Sequence, residues 1–181
     1  MAELTLVLVA FDDELAAAWR DVARRPGVQV CAGSVTDVDV DAVVSPANSW
    51  GLMAGGIDAV YARWFPGISD RVRAVTRGDL PVGEAVIVPT GTARPGWLVS
   101  APTMRTPGET LHPEGANAGL AARAVLRLWR EGVLPDGTAV REVVRSIALP
   151  GLGTGVGGLH PLVCAGHVAA AWDEHVGRSG N

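Results

Sequence analysis

The chain has 181 residues, 48% of them hydrophobic, and a formal net charge of −4. All 15 of its basic residues are arginine, which excludes lysine Schiff bases, P-loop lysines and Ser-x-x-Lys nucleophile pairs. The acidic balance argues against duplex nucleic acid or an anionic membrane as partner, since both need a basic footprint.

Length sets an expectation of one domain over 1–181. The run over 4–10, Leu-Thr-Leu-Val-Leu-Val-Ala, is continuously apolar and predicts a buried strand. Over 12–24, apolar Leu15, Ala16, Trp19, Val22 and Ala23 recur at helical spacing, with Asp12 or Asp13 as cap and Pro26-Gly27 as terminator. Strands are predicted over 28–32 and 41–45. Gly55-Gly56 opens a helix over about 57–64, broken by Pro66-Gly67, and a second short helix is expected over 69–77. Strands over 84–89 and 97–101 flank a loop. A polar stretch rich in Pro and Gly, 102–115, reads as a long loop, and loops of that length in a compact domain are often functional. A helix over 117–131, a strand over 145–149 and a helix over about 161–176 complete the chain. Residues 177–181 read as a frayed tail. This alternation predicts a three-layer α/β/α sandwich around a mixed, mostly parallel sheet. No run approaches the roughly 18 apolar residues of a membrane span, and no signal peptide is evident. Two cysteines make no disulfide framework. A cytoplasmic protein without a membrane partner is therefore expected.

Two segments combine a buried strand, a turn of small residues and a helix start. The first runs from Asp41 through Ser45-Pro46-Ala47-Asn48-Ser49 to Gly55-Gly56-Ile57-Asp58. The second runs from Ser146 through Pro150-Gly151-Leu152-Gly153-Thr154-Gly155-Val156-Gly157-Gly158. Glycines at a helix amino end present backbone N–H groups to an anion, and the helix dipole favours it. Two such turns on neighbouring strands suit a diphosphate. Gly153 to Gly158 also fits the G-x-G-x-x-G of a dinucleotide fold, but that fingerprint needs a further strand with an acidic residue about 20 positions on, and no such strand follows.

The first segment resembles the signature loop of macro domains, the ADP-ribose-binding fold. Ser45-Pro46-Ala47-Asn48-Ser49 and Gly55-Gly56-Ile57-Asp58 fall in register with that family's N-A-A-N-S and G-G-G-V-D. Gly33-Ser34-Val35-Thr36 stands where the family has G-D-I-T, Gly83-Glu84-Ala85 resembles its G-E-A, and Gly153 to Gly157 resembles its second loop. Ser-Pro-Ala-Asn-Ser together with Ala101-Pro102-Thr103-Met104-Arg105 is similar to a bacterial branch of the family.

The resemblance implies an ADP-ribosylhydrolase that removes mono-ADP-ribose from acidic side chains of proteins. Its alternatives are a binding module without turnover, an ADP-ribose 1″-phosphate phosphatase, an O-acetyl-ADP-ribose deacylase, or an enzyme acting on ADP-ribose at a nucleic-acid end. Asn48 and Asp58 are the implied catalytic pair, Asn48 orienting the distal ribose and Asp58 activating water. The implied ligand contacts are Ser34 and Val35, Gly55, Gly56 and Ile57, and Gly153, Thr154, Gly155, Val156 and Gly157, with Arg105 reaching a phosphate or carboxylate. No cofactor and no metal is expected; His160, Cys164 and His167 share a helix face but read as a core cysteine beside surface histidines. The expected partners are ADP-ribose or an ADP-ribosylated protein, with room for a paired ADP-ribosyltransferase. Three departures carry expectations. Ser34 replaces an Asp that reads the adenine amino group. Ser45 replaces the first Asn. Gly157 replaces an aromatic, which predicts free space at the ribose, with Trp50 supplying some of the lost surface.

Overall fold

A computed structural model describes residues 3–179, with side chains through Val176. Strands β1 (Thr5–Ala10), β2 (Val28–Ala32), β3 (Ala42–Ser45), β4 (Val86–Pro89), β5 (Trp97–Ser100) and β6 (Ser146–Leu149) form one sheet. Their order is β2-β1-β6-β3-β5-β4. All neighbouring pairs are parallel except β4 and β5. The helices are α1 (Asp13–Val22), α2 (Gly56–Trp64), α3 (Ile68–Thr76), α4 (Asn117–Glu131), α5 (Val140–Val143) and α6 (Pro161–Ser179).

The strands read as unbroken apolar runs because both faces of the sheet are covered. Successive side chains point to opposite faces. Leu6, Leu8 and Ala10 of β1 therefore enter one core with Trp19, Val125, Val168 and Trp172. Val7 and Val9 enter the other, with Tyr61, Phe65, Ile68 and Val72. Helices α1, α4 and α6 thus cover one face and α2 and α3 the other, giving the predicted three-layer sandwich. Buried tryptophans satisfy their indole N–H on backbone carbonyls: Trp19 on Val9 at 3.3 Å and Trp129 on Val144 at 2.8 Å.

Asp41 joins three strands before β3 begins. Its Oδ2 accepts from the N–H groups of Arg145 and Ser146 and from the Ser146 hydroxyl, and Oδ1 pairs with Arg94. This fixes β3 beside β6. The short α5 was not expected, because its four residues are too few to show a period. Helix α6 also extends to Ser179, so residues 177–179 of the expected tail are helical, while 180 and 181 lie outside the described residues.

Candidate active site

Parallel α/β sheets bind ligands outside the carboxyl ends of their strands, where the strand order reverses. Here the chain leaves β1, β3 and β6 toward a single cleft of about 470 Å³, within the usual range for a small-molecule site. The β3–α2 connection lines one side with Gly55, Gly56, Ile57 and Asp58, and the β6–α6 connection lines the other with Gly151 and Gly153 to Gly157. Ser34 and Val35, after β2, also line it. The structure thus brings together both predicted glycine turns and Asp58.

Both turns hold donors in reserve. No side chain caps the amino end of α2. Among the described residues, the N–H groups of Gly55, Gly56, Ile57 and Asp58 meet no acceptor, nor do those of Gly153 through Gly157. Gly56 and Gly153 lie at φ +55° and +73°, conformations glycine adopts without a side-chain clash. Among the described residues, the only charged ones lining the cleft are Asp12 and Asp58. An anion here would be held by backbone dipoles, not by guanidinium groups.

Asp58 lies in the first turn of α2 and is only 7% exposed. The Ser45 hydroxyl, itself buried at the end of β3, donates to its Oδ1 at 2.6 Å. Tyr61, one turn along α2, is fully buried and donates to the Val44 carbonyl at 3.0 Å. Burial raises the Asp58 carboxyl from 3.8 to about 7, although the Ser45 hydrogen bond pulls it back. The same burial, and then the charge of Asp58, pushes the Tyr61 phenol well above its ordinary value. Ser45 in place of the expected Asn is therefore a direct partner of the carboxylate. A buried carboxyl that titrates near neutrality suits proton transfer.

The remaining predicted residues are placed differently. Asn48 is buried and turned into its own loop, donating to the Leu52 carbonyl at 2.9 Å and accepting from Trp50 N–H and Leu52 N–H. It is not among the residues lining the cleft; nearby backbone groups engage its oxygen and one of its two amide hydrogens. Trp50 borders a second, separate cleft. Arg105 lines neither; its backbone N–H bonds the Glu109 carboxylate. The free space expected at Gly157 is filled by Leu111 from the long loop. Leu111 N–H donates to the Gly157 carbonyl at 2.8 Å, and a Cβ on Gly157 would stand 2.9 Å from Leu111 Cδ1. Ser34 closes a capping box, its Oγ accepting from Thr36 N–H and Thr36 Oγ1. Both lone pairs are then engaged, so Ser34 retains a donor and no acceptor for a base amino group. His160, Cys164 and His167 are engaged separately: His160 with Glu14, Cys164 Sγ with Leu152 N–H, and His167 with the Gly115 carbonyl.

Two more residues reach the cleft: Phe11, which the sequence did not single out, and Asp12, a helix-cap candidate that is also one of three carboxylates (Asp12, Asp13, Asp37) able to compensate for the Asp missing at Ser34. Phe11 directly follows β1, is 88% exposed and lines the cleft. Asp12 caps α1 through a 2.8 Å bond from Leu15 N–H and lines the cleft as well. An exposed aromatic at a strand end followed by a helix cap was the available signal.

The family model for the Macro domain matches residues 44–167, and the chain belongs to the macro domain family. Both glycine turns fall inside that match; Phe11, Asp12 and Ser34 precede it. An O-acetyl-ADP-ribose deacetylase from Salmonella gallinarum is 33% identical over 147 residues, 78% of this chain and 74% of its own. A DNA ADP-ribosyl glycohydrolase from Thermus aquaticus is 30% identical over 130 residues, 70% of this chain and 32% of its own. Among solved structures, the macrodomain of Mycobacterium tuberculosis DarG superposes with a TM-score of 0.66 at 20% identity, covering 92% of this chain and 90% of that one. At that identity the likeness concerns the fold.

Proposed function

We propose that this macro domain binds ADP-ribose in the cleft and hydrolyses an ADP-ribosyl ester on an acidic protein side chain. The observation that carries the proposal is Asp58, a buried carboxyl near-neutral in its titration, held by Ser45 between two turns of unpaired N–H donors. The turns hold the diphosphate from both sides. Asp58 takes a proton from water as that water attacks the anomeric carbon. The bond from that carbon to the ester oxygen breaks, giving ADP-ribose and a free carboxylate. The leaving carboxylate needs no proton, so one base suffices. A positioned base contributes about 10²–10⁴-fold. Asn48 acts through the loop it ties and not by direct contact with the sugar.

A second reading, a water attacking the carbonyl of an acetyl ester on ADP-ribose, is favoured by the deacetylase relative and uses the same base. The test presents three substrates: a Glu-ADP-ribosylated peptide, O-acetyl-ADP-ribose and an ADP-ribosylated DNA oligomer. The expected result is fastest turnover of the Glu ester, a rate rising with pH to a plateau above about 7, and a loss of about 10²–10⁴-fold in Asp58→Asn. Tight ADP-ribose binding with no turnover of any substrate would make the protein a binding module, and undiminished activity in Asp58→Asn would remove the base.

A further inference from the structure

The loop that carries the site has a second face. Between Asn48 and Gly55 it rests on α3 and the segment after it: the Gly51 carbonyl accepts from Ser69 Oγ at 3.4 Å, and the Ser49 carbonyl from Leu80 N–H at 2.9 Å. Gly51 adopts φ +68°, and a Cβ there would stand 3.3 Å from both Arg73 Cγ and Val72 Cγ1. Pressed so closely, the loop projects Trp50 and Leu52, 49% and 39% exposed, beside Arg73 and Arg77. These residues, with Asp70, border an open cleft of about 520 Å³.

Arg73 stands in the last turn of α3 and Arg77 is its left-handed C-cap; among the described residues neither makes an ion pair, whereas Arg25, Arg94 and Arg123 all do. Asp70 makes none either, which leaves the cleft one net positive charge. Trp and Arg are the residues that dominate the energetics of protein interfaces, and Leu52 extends the apolar floor. One net charge on a chain of net −4 is too little to hold a polyanionic strand.

We infer that this second cleft docks an acidic segment of the modified protein, next to the residue bearing ADP-ribose. Carboxylates of the segment pair with Arg73 and Arg77, and its apolar atoms lie on Trp50 and Leu52. The docked chain then runs along the same connection that carries Asp58. The acceptor class rests on the hydrolase reading above; the docking surface does not.

The experiment compares a Glu-ADP-ribosylated peptide with acidic flanks against one with Ser flanks, using the full chain and the double variant Arg73→Gln/Arg77→Gln, which retains most of each stem. The wild type is expected to favour the acidic peptide on the order of tenfold in kcat/KM. The double variant loses that preference through KM and turns over the Ser peptide unchanged. No preference in the wild type, or one that survives in the variant, overturns the inference. If neither peptide is hydrolysed, the hydrolase reading fails and docking is read by fluorescence, since Trp50 is the one exposed tryptophan of six. Titration with an unmodified Glu-rich peptide then changes emission in the wild type and not in the variant. Silence in the wild type, or a response only to a ten-residue oligothymidylate, overturns it.

Discussion

Replacing Asp58 with Asn should stabilise the protein, and by an amount that depends on pH. The native carboxyl titrates near 7 against 3.8 when unhindered, because burial disfavours its charge. Between these values the native state holds a proton that the unfolded state has released. Stability therefore falls as pH rises through this window. At about 1.4 kcal/mol for each tenfold change in proton affinity, the cost above pH 7 reaches about 4 kcal/mol. Asn fills the same volume, still accepts from Ser45 and carries no charge, so it escapes the cost. Thermal unfolding from pH 4 to pH 8 should show the two proteins nearly equal at the acid end. By pH 8 the variant should melt about 10 °C higher. Other titrating groups, such as His175, which burial pushes down, are common to both proteins and cancel in the difference. Parallel melting curves across that range would mean that the carboxyl is not desolvated and would remove the basis for its role as a near-neutral base. The trade is the usual one, an active site that is stable only at the expense of its chemistry.

Other outcomes follow from the same geometry. Phe11→Ala should weaken ADP-ribose binding by about 1–3 kcal/mol in calorimetry if the adenine stacks on that exposed ring, with little change in melting temperature because the ring buries nothing. Ser45→Ala removes the hydrogen bond that pulls the Asp58 carboxyl down, so the rising limb of the pH–rate profile should move to higher pH; an unmoved limb would dissociate the pair. ADP-ribose affinity should change little between low and physiological salt, because among the described residues no arginine lines the cleft. The acidic-flank preference at Arg73 and Arg77 should fade over the same range. Gly157→Ala should lower stability and affinity together, since the new methyl group meets Leu111 Cδ1 and the Gly153 carbonyl at 2.9 and 2.7 Å; binding unchanged at full stability would show that the loop gives way freely.

Hydrophobic pattern revealed the layers of this molecule but not their order. Every strand was legible because β-branched runs bounded by Pro and Gly have few other readings. That β6 inserts between β1 and β3 was not, since pairing depends on Asp41 reaching Arg145 and Ser146 across a hundred residues of chain. Asp58 and both glycine turns were legible as a motif in register. What a side chain does with its bonds was not. Asn48 satisfies Leu52 and Trp50, and Ser34 satisfies Thr36, because short polar side chains compete for nearby backbone and hydroxyl groups. Leu111 closing the space at Gly157 depends on the path of a long loop that no periodicity describes.

The position of β1 bears on how the chain is made. The strand is synthesised well over a hundred residues before β6, yet β1 is an interior strand, paired to β6 from Thr5↔Ser146 to Leu8↔Leu149, and α1 packs against α6. During synthesis an apolar strand must wait, with one edge unsatisfied, until β6 has emerged. Such long-range pairing slows folding and exposes edges prone to aggregation. Phe11 and Asp12 at the end of β1 and the glycine turn after β6 share the cleft, so segments of the domain translated far apart in time meet around the ligand. A nascent chain stalled before residue 146 would lack both the partner of β1 and half the ligand contacts. Ligand binding would therefore begin only once β6 and its glycine turn have emerged, and ADP-ribose added during translation should raise the yield of folded product without acting on any earlier intermediate.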